Sequence, residues 1–190
     1  MLLTTRRKLA PSALWVLMCV FLATSALGQT AKQAKPARTQ VANQLKEFRS
    51  TAYAMLQEAD TLNFSVAPIK QSHWESHAQR LNTLKDHVNR LGKILAKLEA
   101  QKSAATESQA MAIEHARPDL VSVARNLTEA IALVNENRSN VYRPEYAETV
   151  SDIYAHADAL YNKVDTILDY EEAEMRLDNL ELLPAVTEPR

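Results

Sequence analysis

Four apolar stripes run along this sequence, and in each of them hydrophobic residues recur at alternating steps of three and four residues. This spacing restricts the folds that the chain can adopt. The stripes cover residues 41–62, 74–98, 113–134 and 146–167. Because the step averages about 3.5 residues, each stripe occupies one narrow face of an α-helix. Helices with one apolar face bury it by packing against one another. The pattern therefore predicts four amphipathic helices sharing one core.

Short connections between these segments make neighbouring helices antiparallel. The sequence predicts an all-α fold, an antiparallel up-down-up-down four-helix bundle with long, coiled-coil-like helices. The low number of glycines supports this prediction, because the 190 residues include only 2 glycines. A glycine-rich phosphate loop is therefore excluded, and turn-rich β folds are disfavoured.

The predicted helix ends carry sequence signals of their own. Ser72 and Glu75 have the spacing of a capping box, in which each side chain satisfies a free backbone N–H of the first turn. Thr106 and Gln109 repeat that spacing before the third stripe, and Pro144 suits the first turn of the fourth helix. These signals predict where the second, third and fourth helices begin.

Two residues interrupt the helical pattern. Pro118 lies inside the third helix, where it lacks an N–H and its ring clashes with the preceding turn, so the sequence predicts a kink there. Gly92 lies beside the apolar stripe of the second helix. We expect it to mark a close approach of two helices.

The N-terminal segment has the three parts of a secretory signal. A basic cluster at residues 6–8 precedes an apolar run at 13–22, and Ala26 and Gly28 supply small residues before a cleavage site at Gln29. The apolar run is short for a membrane span, and the alternative to cleavage is an uncleaved N-terminal anchor. We therefore expect a signal peptide at 1–28, a flexible leader at 29–37, the bundle at 38–180 and a C-terminal tail at 181–190.

Cleavage changes the chemistry that the chain can perform. Loss of three basic residues leaves 19 basic against 23 acidic residues, a net charge of −4, which gives no electrostatic case for binding nucleic acid. The single cysteine, Cys19, lies in the signal, so the mature chain has no disulfide or thiolate chemistry. An exported, cysteine-free chain suggests a bacterial periplasmic or secreted protein with no stable membrane span after cleavage.

The strongest candidate for a site is a layer of ionisable side chains around His77, which falls on an apolar stripe. Counting outward from the predicted loop centres puts Glu58, His77, Glu129 and His156 at one level of the bundle. A cluster of carboxylates and imidazoles inside a bundle can bind a transition metal. The same residues can instead form a hydrogen-bonded plug that fixes the register of the core.

A haem site is the other alternative. Met55 and His77 both lie on apolar stripes, and their estimated levels along the bundle differ by about one helical turn. In helix count and topology the predicted bundle resembles the cytochrome b562-like class of exported bundles. That class takes its methionine from the start of the first helix and its histidine from the last. Here Met55 comes late in the first helix and His156 lies off the stripe. The resemblance therefore covers architecture and not the ligands, and Met55 is expected to fill space in the core.

No arrangement of serine, histidine and acidic residues in the sequence has the spacing of a nucleophilic or di-iron active site. We therefore expect a non-enzymatic bundle that acts by binding or structural contact in the bacterial envelope, with a protein partner or as a homodimer. The charges allow such pairing, because the second helix is basic and the end of the fourth is acidic. The segment 177–190, which contains Leu180, Leu182, Leu183 and Pro184, is expected to pack briefly and then fray.

Two alternatives remain open at this point. The first is a periplasmic metal- or haem-binding bundle that uses His77 with His156 or Met55. The second is a periplasmic stress chaperone, since the chain resembles small helical envelope chaperones in size and helical content. Their L-T-x-x-Q repeats are absent, and residues 127–131 depart from that pattern at the last position.

Overall fold

A computed structural model describes the backbone of residues 26–66 and 73–181, and the side chains of residues 38–66, 73–178 and 180. The chain divides into two compact units, residues 1–35 and 36–190. Of the first unit, the backbone of residues 26–35 is described, and it is helical. The predicted signal peptide before residue 26 and the predicted tail after residue 181 lie outside the described residues.

Four long helices make up the described chain. They are α1 (Ala26–Ser65), α2 (Trp74–Ala100), α3 (Glu107–Glu136) and α4 (Pro144–Glu181). Short 3-10 turns at Lys102–Ala104 and Arg138–Tyr142 lie between α2 and α3 and between α3 and α4. The prediction of an all-α helical bundle is confirmed. No helix in the described ranges combines the length and apolar character that crossing a membrane requires.

Two predicted boundaries fall inside helices. Residues 29–37, for which the sequence predicts a flexible leader, lie in α1, and only their backbone is described. At the other end α4 continues to Glu181.

The four apolar stripes form one hydrophobic core. Every residue of the predicted stripes is buried except Trp74, Val88 and Ile167, which are half-buried and pack against the core. The buried face of each helix is wider than the stripe, because further residues beside it are also buried, namely Leu56, Ile94, Ala112 and Leu168. Burial of these apolar side chains is the main free-energy contribution that holds the helices together.

The capping predictions have different outcomes. At α3, Thr106 is the N-cap, and its hydroxyl oxygen accepts from the Gln109 N–H at 3.1 Å while the Gln109 side chain accepts from the Thr106 N–H at 3.2 Å. This capping box is confirmed. At α2 the N-cap is His73, whose side chain makes no capping bond. The predicted cap Ser72 precedes it and lies outside the described residues.

The two predicted interruptions can also be located. Helix α3 is assigned as continuous through Pro118, which is exposed. Gly92 is exposed too, and a Cβ added there meets no atom within 4 Å. The predicted close approach of two helices at Gly92 is therefore wrong.

Candidate functional site

His77 forms a hydrogen bond with a buried tyrosine. Its Nδ1 lies 3.1 Å from the hydroxyl oxygen of Tyr146 at the start of α4, and the two rings meet edge-on with centroids 5.5 Å apart. His77 is 2% exposed and Tyr146 is fully buried. Burial, and then the nearby positive charge of Arg80, lower the pKa of His77, while burial raises the pKa of Tyr146. Both groups are therefore neutral near pH 7, as this apolar surrounding requires.

Neither glutamate of the predicted layer takes part in the hydrogen bond between His77 and Tyr146. Glu58 on α1 accepts a hydrogen bond from Arg80 on α2, with Nη1 and Oε1 3.0 Å apart. Glu129 on α3 is exposed. The Glu58–Arg80 pair is half-buried, so it links α1 to α2 at the surface rather than lining the interior.

His156 belongs to a different cluster, centred on Asp119. The Asp119 carboxylate is 7% exposed and accepts a hydrogen bond from Lys163 at 2.6 Å, while His156 Nδ1 lies 3.6 Å from its other oxygen. Asp119 comes from α3, and both of its partners come from α4. This cluster joins two helices at the edge of the core.

Glu58, His77 and His156 thus have separate partners, and Glu129 is exposed. Among the side chains of residues 38–66, 73–178 and 180, no group of three or more histidine, cysteine, aspartate or glutamate residues is spaced to hold a metal ion. Met55, the predicted haem-ligand alternative, is fully buried within the hydrophobic core.

Sequence reasoning missed the partners that the structure gives to His77 and His156. The sequence places Tyr146 at the start of the fourth apolar stripe, but its hydroxyl group requires a hydrogen-bond partner once it is buried. Asp119 was not singled out at all. The available signal was its position next to Leu120, at the edge of a buried helical face, where an acidic residue requires a counter-charge.

A second notable region is the α4 end, which we define as residues 169–181. Four large apolar side chains there are exposed: Tyr170 at 65%, Met175 at 51%, Leu177 at 63% and Leu180 at 62%. The expected packing of the segment 177–190 is therefore not observed at Leu177 or Leu180, and the part of that segment after residue 181 lies outside the described residues. The segment also carries six acidic residues and one arginine, a net charge of −5.

The α4 end is attached to the bundle near its beginning. Glu171 accepts hydrogen bonds from the side chains of Thr106 and Gln109 at 2.8 and 3.0 Å. Asp169 accepts one from Arg49 on α1 at 3.0 Å. From Ala173 onward every described side chain is exposed, so this part of the helix presents its whole circumference.

A third region is an open groove between α2 and α3, here called the α2–α3 groove. It has a volume of about 640 Å³ and a largely apolar lining, with Val88, Gly92, Leu95 and Ala96 from α2 and Leu120, Val121 and Ala124 from α3. Val121 is 61% exposed. Lys93 also lines the groove, and so does the ion pair between Glu99 and Arg117.

Comparison of the chain with protein-family models, with curated proteins and with solved structures gives no match. The site residues and the surfaces described above are therefore the basis for a functional proposal.

Proposed function

We propose that this protein is an exported, non-enzymatic helical bundle of the bacterial envelope that acts by contact, and that the α4 end is its contact surface. The observation that carries the proposal is the exposed apolar stripe on that segment. Tyr170, Ala173, Leu177 and Leu180 follow one another at steps of three, four and three, so they share one helix face. All four are exposed.

This stripe is distinct from the face of α4 that enters the core. The core face runs through Val164 and Leu168, and its continuation by helical periodicity falls near Glu171 and Met175. Single exposed apolar residues are ordinary on protein surfaces, whereas a contiguous apolar stripe is typical of an interaction surface. The acidic residues beside the stripe keep it soluble and select for a basic partner surface.

Export to the periplasm is supported by the sequence at the N-terminus. The basic cluster at residues 6–8, the apolar run at 13–22 and the small residues before Gln29 have the order of a secretory signal. We propose that the mature chain begins at Gln29.

We also infer the up-down-up-down order of the helices, which several pairs of contacts support. Glu58 pairs with Arg80, whereas the earlier Glu47 pairs with the later Arg90, so residue numbers rise along α1 as they fall along α2.

The other neighbouring helices follow the same rule. Glu99 on α2 pairs with Arg117 on α3. Lys102, in the 3-10 turn after α2, pairs with the earlier α3 residue Glu114. Asp119 pairs with Lys163, and the earlier Gln109 with the later Glu171, across α3 and α4. Two contacts support the same antiparallel relation for α1 and α4. Arg49 contacts Asp169, and the later Tyr53 contacts the earlier Tyr161, with ring centroids 5.3 Å apart.

A kink of α3 at Pro118 belongs to the same proposal. Proline has no N–H to donate to the carbonyl of Glu114 four residues before it, and its ring clashes with that turn. Pro118 is exposed while the next residue, Asp119, is buried, so the bend would carry Asp119 toward α4.

Photo-crosslinking in bacterial cells tests the contact function. A photoreactive residue replaces Leu177 on the apolar stripe, and a control replaces Ser151, which is exposed on the same helix but outside the α4 end. We expect one discrete adduct from position 177 and none from position 151. Absence of an adduct at position 177, or equal adducts at both positions, would contradict the proposal. A ladder of many adducts would instead favour the chaperone alternative.

Cell fractionation of the same cultures tests export. We expect the protein in the periplasmic fraction with Gln29 as its first residue, determined by mass spectrometry. Recovery of the uncleaved chain from the cytoplasm alone would overturn this part of the proposal.

A further inference from the structure

We propose that the partner of the α4 end is a second copy of this chain, and that the α2–α3 groove of that copy receives it. The inference rests on the proposed function, since it names the partner of the same contact surface. Three observations carry it: the shape of the groove, its length and the charges around it.

The groove has the shape that a third helix needs. Two packed helices leave a channel between their side-chain ridges, into which the ridge of another helix can insert. Small residues keep this channel open, with Gly92 and Ala96 on α2 and Ala124 on α3. At Gly92 in particular, nothing lies within 4 Å of the place a Cβ would occupy. The side chains of Leu177 and Leu180 have the size to fill this space.

The two surfaces also have matching lengths. The α2 side of the groove runs from Val88 to Glu99, which corresponds to about 16 Å of helix. The apolar stripe of the α4 end runs from Tyr170 to Leu180, which corresponds to about 15 Å. The whole stripe can therefore lie in the groove.

The charges are complementary. Lys93 lines the groove and is exposed, and Lys85 and Arg125 are exposed four residues from the lining residues Asn89 and Val121, so they lie on the same helix faces. The α4 end carries a net charge of −5. Acidic residues on one copy would therefore meet basic residues on the other, which favours encounter and fixes the orientation of docking.

The proposal requires an oligomer, because the α4 end and the groove are different surfaces. If each of two copies places its α4 end in the groove of the other, the result is a closed dimer. If each copy places its α4 end in the groove of a further copy, the result is a longer assembly. In both cases the apolar stripe and the groove become buried together.

Light scattering and sedimentation of the signal-cleaved chain over a range of concentrations provide the test. We expect concentration-dependent self-association, weakened at least tenfold in dissociation constant by Leu177→Asp and by Gly92→Leu, which fills the groove. The matched controls are Ala155→Asp on α4 and Ala132→Leu on α3, both at exposed positions outside these surfaces. They should leave association unchanged. A wild-type chain that is monomeric at all concentrations overturns the inference.

Charge reversal separates a specific contact from general stickiness. Lys85→Glu with Lys93→Glu, or Glu174→Lys with Asp178→Lys, should each weaken association, and the chain carrying all four changes should regain it. Failure of the combined variant to recover would contradict docking of the α4 end in the groove.

The crosslinking experiment keeps the two proposals distinguishable. An adduct from position 177 with twice the mass of the chain supports both proposals. Adducts at higher multiples of the chain's mass support one-way docking, whereas an adduct whose mass is not a multiple of the chain's mass overturns the second copy as partner and leaves the contact function in place. No adduct overturns both.

Discussion

Burial of His77, together with the nearby positive charge of Arg80, makes the stability of the bundle depend on pH. The pKa of His77 is lowered in the folded state, so the unfolded chain binds the proton more tightly. Below the ordinary histidine pKa of about 6.5, the free energy of unfolding should therefore fall as the pH decreases toward the folded-state pKa. Above that range this histidine contributes no pH dependence.

Denaturant unfolding between pH 8 and pH 5 checks this expectation. The His77→Gln variant should lose a large part of the decline that the wild-type chain has between pH 7 and pH 5, whereas His156→Gln, at a half-buried position, serves as the control. Equal slopes for the wild type and His77→Gln would contradict the assigned role of His77.

Gly92 gives a second prediction at the residue scale. Glycine inside a helix costs about 1 kcal/mol relative to alanine, and a Cβ at position 92 meets nothing within 4 Å. Gly92→Ala should therefore raise the free energy of unfolding by about 1 kcal/mol. Ala96→Gly, one turn later on the same exposed face, should lower it by a similar amount. A destabilised Gly92→Ala chain would mean that the α2–α3 groove is closed in solution.

At the scale of single elements, the start of α3 depends on Thr106. Its side chain caps the Gln109 N–H and also donates to Glu171 on α4 at 2.8 Å. Loss of an N-cap costs about 1 kcal/mol and loss of a hydrogen bond to a charged group costs about 1.5–3 kcal/mol, so Thr106→Ala should destabilise the fold by about 2.5–4 kcal/mol.

Thr128→Ala is the matched control for that substitution. Thr128 lies in the same helix, is exposed, and bonds only to the carbonyl of Ala124. Thermal or denaturant unfolding should place Thr128→Ala within about 0.5 kcal/mol of the wild type. Similar losses for both variants would show that the capping box does not determine where α3 begins.

The helical pattern and the pairwise contacts differ in how well the sequence predicts them. Burial along the four stripes follows directly from the 3.5-residue period, and the Thr106 capping box follows from residue type and spacing. The contacts of His77 and His156 depend instead on how far each helix is shifted along its neighbour. That shift is set by the short turns at Lys102–Ala104 and Arg138–Tyr142, whose geometry the apolar period does not encode.

The helix ends show a related difference. The spacing of apolar residues predicts which faces of α1 and α4 are buried in the core. It does not predict how far along each helix that burial extends. Leu177 and Leu180 look like further core residues in the sequence. In the structure they lie past the last anchored side chains, and their exposure could be recognised only from the positions of the other helices.

For the whole molecule, the described interior consists mainly of hydrocarbon, and its one described histidine–tyrosine pair is neutral. The remaining ionisable clusters, such as Asp119 with Lys163, lie toward the surface and link neighbouring helices. Burial of the apolar core is the main contribution to stability, and exposed apolar surface lies at the α4 end and in the α2–α3 groove. We propose that the protein acts through these surfaces rather than through a cofactor held in its interior.

Elemental analysis and the visible absorption spectrum of the protein, purified from bacterial cells without added metal, provide the test of this proposal. We expect no stoichiometric transition metal and no haem absorption band, with identical results for wild type and His77→Gln. One metal ion or one haem per chain, lost in His77→Gln while the variant remains folded by circular dichroism, would contradict it.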